Sequence, residues 1–563
     1  MRQFLLSAPK FMVFAVPIAF LAIFFFYPLL SIFQVSFAPG GQPDLSGFVA
    51  LVTRPYYREL LWFTTWQAAL STVLTLLAGM PAAYAFARFS FPGKTLLRAV
   101  LTVPFVMPTV VVATAFLALL GPRGSLNGLL TVLFGPDAPA VNLQHTVTLI
   151  LLAHVFYNIA IVIRVVGGFW ANLDPQLEEA AMVLGARPRQ LFREVTLPLL
   201  MPAIGAAALL IFLFTFSSFG VVLLLGGVRY ATIEVEIYQQ AVNLFNLPLA
   251  ASLSLVQMVF TFLLMWLYTG VQARATVPLN LRSQVAVQKP ARTARQRFFL
   301  LAALGLPALF VLAPLTALVE RSLSVGGEWT LQYYLTLSEA QRRSIFAVSP
   351  LVAVRNSVLF ALATTAISVI LALLSAYLLA PRRGEGRRGL WRRVLDPLFL
   401  LPLGTSAVTL GFGYIVALDA PPLNLRTSAL LVPIAHSLIA FPFVLRSLLP
   451  TLRSINPALR EAAAVLGARP LGQLREVDLP IIARSLLVGA VFAFAISMGE
   501  FGATSLIWRP EWPTLPIVIF RFLGQPGVAN YGRALAMSVI LMSTTALAFI
   551  LIERVRVDEG SEF

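Results

Sequence analysis

Residues 178–202 read "EEAAMVLGARPRQLFREVTLPLLMP", and residues 460–484 read "REAAAVLGARPLGQLREVDLPIIAR". Each is a charged, Arg-studded stretch in a chain that is otherwise mostly apolar. A helix-start signal lies just upstream of each: Asp174 before Pro175, and Asn456 before Pro457. In both cases a capping side chain precedes a proline at the first helical position. Glu179-Ala180-Ala181 and Glu461-Ala462-Ala463 come next, and their small alanines leave a shallow surface that another chain can approach closely. Gly185 and Gly467, six residues after each Glu, are placed to end the helix in a left-handed turn. Pro198 and Pro480, thirteen residues further on, restart the chain into a new apolar run. One such connector is an ordinary helix–loop–helix link. Two with the same cap, Glu, Gly and Pro spacing suit a symmetric pair of partners, each receiving one helix in a groove.

The setting is a membrane protein. Of 563 residues, 59% are hydrophobic and 12% are charged, whereas soluble domains carry about a quarter charged residues. A hydrocarbon core about 30 Å thick needs about 20 apolar residues per helix. Apolar segments of that kind fall near 11–34, 60–88, 99–120, 146–167, 199–225 and 249–271. A second set falls near 298–319, 353–380, 394–417, 428–450, 482–507 and 532–552. This predicts twelve spans in two sets of six, several carrying Pro or Gly that neighbouring helices can accommodate. The run from Phe11 to Leu30 follows Arg2 and Lys10. It is longer than a signal-peptide core and has no small-residue cleavage site, so it reads as an uncleaved first helix. With no cysteine, a disulfide framework and thiolate metal sites are excluded.

The net charge of +17 is explained by topology and implies no nucleic-acid partner, because the basic residues sit in short loops between spans. With the N-terminus in the cytoplasm, inner loops hold Arg88, Lys94 and Arg98, then Arg187, Arg189 and Arg193. The joining segment 272–297 holds Arg274, Arg282, Lys289, Arg292, Arg295 and Arg297, and "PRRGEGRRGLWRR" follows at 381–393. Outer loops keep Arg54, Arg58, Arg342 and Arg343, so the bias is imperfect. Both quoted stretches fall on the cytoplasmic side, after the fourth span of each set, and both termini are cytoplasmic. The sets are repeats. His154 and His436, Arg164 and Arg446, Glu179 and Glu461, and Phe219-Gly220 and Phe501-Gly502 are each 282 residues apart. "AYAFAR" at 83 answers "AYLLAP" at 376, the longer outer loop around 121–145 absorbing the drift. Six spans per repeat preserve orientation, so the repeats are parallel.

With these residues in view, both stretches resemble the EAA loop of binding-protein-dependent ABC importer permeases. The pattern is Glu-Ala-Ala, three residues, Gly, nine residues, an aliphatic residue, one more, then Leu-Pro. Both copies fit, with Val195 and Val477 at the position usually held by Ile. The resemblance covers essentially the whole chain and is to the fused two-half type found among thiamine and ferric-iron importers. It implies an all-α polytopic membrane protein of the type I ABC importer permease fold, in the cell's inner membrane. A first half at 1–275, with its coupling loop at 172–198, would be joined by a basic linker at 276–297 to a second half at 298–556, with its loop at 454–480. It also implies two ATP-binding cassette subunits docking on these loops, with Glu179, Ala180, Ala181, Gly185, Glu461, Ala462, Ala463 and Gly467 as the coupling positions. An extracytoplasmic solute-binding protein would deliver cargo, and membrane lipid would surround the spans. "ILLAHVFYNIAIVIR" and "FGVVLLLGGVRYATIEVEIYQQ" are similar to stretches of thiamine permeases, which ranks thiamine ahead of ferric iron as cargo.

No cofactor is expected, and no catalytic residue. "RFSFPGKT" at 88–95 imitates the end of a Walker A motif, but Arg88 stands where that motif needs Gly and the run follows an apolar helix. ATP hydrolysis therefore falls to separate subunits. Glu500, in "SMGEFGATSL", is a carboxylate within the eleventh span, and Ser218 is its counterpart in the first half. An intramembrane acid is a functional candidate by default, so both residues are candidates for the translocation path. The structural alternative has Glu500 hydrogen-bonded between helices at a Gly kink, and similar runs in permeases of different cargo favour it. His154, His436 and His145 lack clustered carboxylates and make no metal site; interhelical hydrogen bonds fit the first two better. Arg164 and Arg446 stand where they can snorkel to the interface. Glu234 and Glu236 face either a binding protein or the path, or belong to a plain amphipathic segment. The rival reading is an ion-coupled secondary transporter with two parallel six-helix halves. That class would ordinarily show a set of coupling carboxylates within its spans, and only Glu500 stands out.

Overall fold

The computed structural model describes residues 15–227, 229–275, 288–338, 348–380, 390–419, 421 and 423–557. Arg2, Lys10, Arg282, Arg342, Arg343 and most of "PRRGEGRRGLWRR" lie outside the described residues. The protein is helical almost throughout, with two two-residue strand pairs as its only sheet among the described residues. Among the described residues eleven helices are long and apolar enough to cross a membrane, or twelve if one bent pair is a single span. We number them α1 Ala15–Phe37, α2 Pro55–Arg88, α3 Thr109–Phe134, α4 Val147–Ala171, α5 Pro188–Phe216 and α6 Leu247–Gln272. Then come α7 Ala294–Ser322, α8 Pro350–Leu379, the bent pair α9 (Leu395–Gly404 with Ala407–Ala417), α10 Leu431–Ser454, α11 Leu471–Gly499 and α12 Val528–Ile550.

The third span of each repeat, expected at 99–120 and 394–417, is broken at its prolines. In the first repeat a helix over Lys94–Thr102 gives way to a tight 3-10 turn at Val103–Val106, and helix resumes only at Thr109. Pro104 and Pro108 flank the break, and neither can donate to an α-helical ladder. In the second, Leu401–Gly404 makes the same turn around Pro402, Ser406 caps the next helix by accepting from the Val408 and Thr409 N–H groups, and the two arms meet at 97°.

The chain divides into two compact units. The early unit holds the described parts of Val49–Glu236 and Val259–Thr330, and the late unit those of Met1–Phe48, Ile237–Met258 and Leu331–Phe563. Within the early unit α2, α4 and α5 pack together around Ala83, Ala87, Val162, Val166, Trp170, Leu200, Ala207 and Ile211. Lipid is as apolar as these side chains, so close approach between helices drives such packing. Gly79 shows it: a Cβ there would lie 2.7 Å from the Val162 Cβ. α7 packs on α3 and α2 of this unit. Within the late unit α8, α10 and α11 form the equivalent trio, α12 packs on α11, and α1 packs on the Ala407–Ala417 arm of α9. Each unit therefore takes in the first helix of the opposite sequence repeat.

Candidate functional site

The two quoted stretches fold alike. In the early unit the Asp174 side chain accepts from the Gln176 N–H at 3.0 Å and the helix Pro175–Val183 begins. In the late unit Asn456 accepts from the Ala458 N–H at 3.0 Å and the helix Pro457–Val465 begins. Gly185 and Gly467 take φ of +88° and +87°, the left-handed conformation that costs a side chain least when it is absent. The next N–H closes the turn in both copies: Ala186 donates to the Ala181 carbonyl at 3.0 Å, and Ala468 to the Ala463 carbonyl at 2.9 Å. Such a closure satisfies carbonyls that the helix end would leave open. A π-helical turn follows in each, Leu191–Thr196 and Leu474–Asp478, before the regular helix of α5 or α11.

These short helices bury little of their apolar surface. Val183 and Leu184 are 88% and 89% exposed, and Val465 and Leu466 are 88% and 87% exposed. Leu177, Met182 and Leu459 are about half exposed, and Glu179 and Glu461 are also on the surface. An apolar tip rimmed by polar groups marks a surface that expects a partner. The sequence predicts the helix and its turn, and it is the fold that leaves Val183, Leu184, Val465 and Leu466 uncovered.

Inward from each tip, a charged contact ties the helix to its own unit. Glu178 Oε1 meets Arg88 Nη2 at 2.5 Å and accepts from Thr196 Oγ1 at 3.0 Å. In the late unit Arg460 Nε meets Asp478 Oδ1 at 2.7 Å, and the Tyr377 hydroxyl donates to Asp478 Oδ2 at 2.7 Å. None of these partners follows from sequence spacing, since Arg88 and Glu178 are 90 residues apart. Lys94, the lysine of the Walker-like run, donates to the Phe89 carbonyl at 2.8 Å, and burial, with Arg98 nearby, lowers its pKa to about 8.

Deeper in the late unit, Glu500 is buried between the end of α11 and the helix Gly502–Ile507. Its carboxylate accepts from the Ala503 N–H at 2.7 Å, the Thr504 N–H at 3.0 Å and the Thr504 hydroxyl at 2.5 Å. A broken helix inside a membrane frees N–H groups that lipid cannot satisfy, and Glu500 satisfies two. His436 bridges the same place, with Nδ1 2.7 Å from Ser497 Oγ and Nε2 2.7 Å from Thr504 Oγ1 and 3.2 Å from Glu500 Oε2. In the early unit His154 sets Nδ1 3.0 Å from Ser71 Oγ and Nε2 2.9 Å from Ser218 Oγ, while the Thr232 hydroxyl donates to the Ser218 carbonyl. The imidazoles thus bridge helices at matching places, while the acid stands in one repeat only. Arg164 and Arg446 are exposed at their helix surfaces. Glu234 and Glu236 are buried, with Tyr56 donating to Glu236 Oε2 at 2.7 Å, so they belong to no exposed amphipathic face. No group of three or more His, Cys, Asp or Glu could hold a metal ion among the described residues.

Comparison with known proteins agrees with this repeat plan. Residues 75–277 and 374–557 each match the family described as "Binding-protein-dependent transport system inner membrane component". The "Thiamine transport system permease protein ThiP" of Escherichia coli (strain K12) is 27% identical over 90% of this chain and 90% of that protein. The protein of the same name from Brucella abortus (strain 2308) is 25% identical over 88% of this chain and 87% of its own length. A "Probable ABC transporter permease protein y4fN" of Sinorhizobium fredii (strain NBRC 101917 / NGR234) is 25% identical over 96% of this chain and 95% of its own. The two matched regions cover well over half the chain and include both Glu-Ala-Ala helices; the chain belongs to the family of binding-protein-dependent transport system inner membrane components, as a multi-pass permease of ABC importers in which both repeats are fused.

Proposed function

We propose that this permease carries thiamine inward, driven by two ATPase subunits that dock on the helices Pro175–Val183 and Pro457–Val465. The observation that carries the docking is the matched exposure of Val183-Leu184 and Val465-Leu466. Two surfaces so alike suit two copies of one partner. Glu179, Ala180, Ala181 and Gly185 form the first socket, and Glu461, Ala462, Ala463 and Gly467 the second. In this reading 1–275 and 298–556 are the two permease halves, both termini are cytoplasmic, and an extracytoplasmic binding protein presents the solute. ATP is hydrolysed by the partners, whose closure shifts the permease between inward- and outward-facing populations through rigid-body motion of the sockets. Ser218 and Glu500 stand at matching breaks beside the path, the acid holding its helix start in place. The named activity of the relatives supports thiamine over ferric iron.

The test is reconstitution of the chain with a partner ATPase and binding protein in liposomes. ATP-dependent accumulation of labelled thiamine is expected, with ferric iron left outside. Uptake that survives removal of ATP but stops when an ion gradient is collapsed would make the protein a secondary transporter. Accumulation of iron in place of thiamine would replace the cargo alone.

A further inference from the structure

The two inward ties described above occupy equivalent positions with their charges exchanged. Arg460 lies 282 residues after Glu178, and Asp478 lies 282 residues after Thr196. In the early unit the anion is on the short helix, and its cation comes from the end of α2. In the late unit the cation is on the short helix, and its anion is on the π-helical turn of α11. The third member changes with them. Thr196, on the π-helical turn of α5, donates to Glu178, whereas Tyr377, at the end of α8, donates to Asp478. Each tie therefore joins the same three elements: the short helix, the end of the second helix of its repeat, and the π-helical start of the fifth.

We infer that these contacts are the fasteners through which each short helix pulls on its own unit, with Glu178, Arg88, Arg460 and Asp478 as positioning residues for coupling. This rests on the reading of the short helices as ATPase sockets. The physical ground is where the charges sit. The Asp478 side chain is 6% exposed and that of Arg88 is 12% exposed, so water screens these pairs less than a surface pair. Neither tie touches the apolar tip: Val183, Leu184, Val465 and Leu466 remain outward. The tie adds to the closing turn that holds each helix. A helix attached by its turn alone would swing under load, whereas one clamped to two spans passes displacement to both. π-helical turns inserted in α-helices frequently mark functional places, and here each supplies one jaw of the clamp. Arg460 also keeps Nη2 buried without a hydrogen-bond partner. Tyr377 holds the Asp478 oxygen that a two-pronged pair would use, so the clamp forgoes a bidentate grip and spans three elements.

The experiment uses the full transporter in liposomes, reading solute moved per ATP hydrolysed together with the amount of ATPase subunit bound. In the combined variant Glu178→Gln with Asp478→Asn, that ratio is expected to fall about fivefold while the bound subunit stays at the wild-type amount, a change in the range of coupling carried by one network. A transplant supplies the control for misfolding. Arg88→Ala with Glu178→Arg and Thr196→Asp installs the late unit's arrangement in the early one, where Tyr84 already stands at the place of Tyr377. It should recover most of the ratio that Glu178→Arg alone loses. An unchanged ratio in the combined variant overturns the inference, and so does loss of the bound subunit, which would make these residues part of the docking face. If even the unaltered chain binds no ATPase, the socket reading fails first and the fasteners fall with it.

Discussion

Glu500 is the residue whose surroundings the structure defines most sharply. A carboxylate in a span suggests cargo, but here it caps the helix Gly502–Ile507 and lies against His436. Replacing it with Leu leaves the Ala503 and Thr504 N–H groups without acceptors in a buried site, at about 1–3 kcal/mol each. Glu500→Gln keeps one acceptor oxygen and should cost less. Ser218→Ala, which removes a single contact to His154, should cost about 1 kcal/mol. Thermal unfolding in detergent, followed by intrinsic fluorescence, should therefore rank the midpoints Ser218→Ala above Glu500→Gln above Glu500→Leu. A Glu500→Leu protein as stable as wild type but dead in transport would return the acid to the solute path. The sequence names this residue as unusual, but the cap depends on where α11 breaks, and no periodicity announces that Gly499 is its last helical position.

At the scale of the element, the short helices are the part most legible in advance. Their caps, their Glu-Ala-Ala runs and their closing glycines are local signals, and local signals survive folding. The third spans are less legible: Pro104, Pro108 and Pro402 mark them as candidates for a break, but hydropathy does not register a lost N–H and so gives neither its place nor its angle. The π-helical turns at Leu191–Thr196 and Leu474–Asp478 carry no sequence signal at all. The glycines yield a sharp prediction. A Cβ at Gly185 or Gly467 would meet nothing within 4 Å, so Gly185→Val with Gly467→Val costs backbone energy alone, about 1–2 kcal/mol for each residue held left-handed. The double variant should insert in the membrane at normal levels, yet retain less ATPase subunit on co-purification. Asn tolerates the left-handed region better than Val, so Gly185→Asn with Gly467→Asn should retain more. If the Val and Asn proteins bind the subunit equally well, the turn does not set the docking geometry.

For the whole molecule, the repeat is legible but its assembly is not. A 282-residue offset identifies equivalent positions without saying which helices touch. α7 joins the early unit and α1 the late one, an exchange that apolar surfaces of similar composition cannot advertise. What parallel repeats do dictate is sidedness. With six spans in each, both short helices would emerge on one face of the membrane, and the positive-inside bias predicts that this face is the cytoplasmic one. The chain has no cysteine, so single substitutions report on this directly. Val183→Cys and Val465→Cys, both at well-exposed positions, should react with a membrane-impermeant maleimide in inside-out vesicles and stay unlabelled in right-side-out ones. Phe134→Cys, at a 72% exposed position at the end of α3, should show the opposite pattern. Adding the ATPase subunit should protect the first two to the same degree, because their surroundings match, and leave Phe134→Cys unaffected. Labelling of Val183→Cys and Val465→Cys from opposite faces would show that the repeats are inverted, and two identical partners could not then reach both sockets from one side.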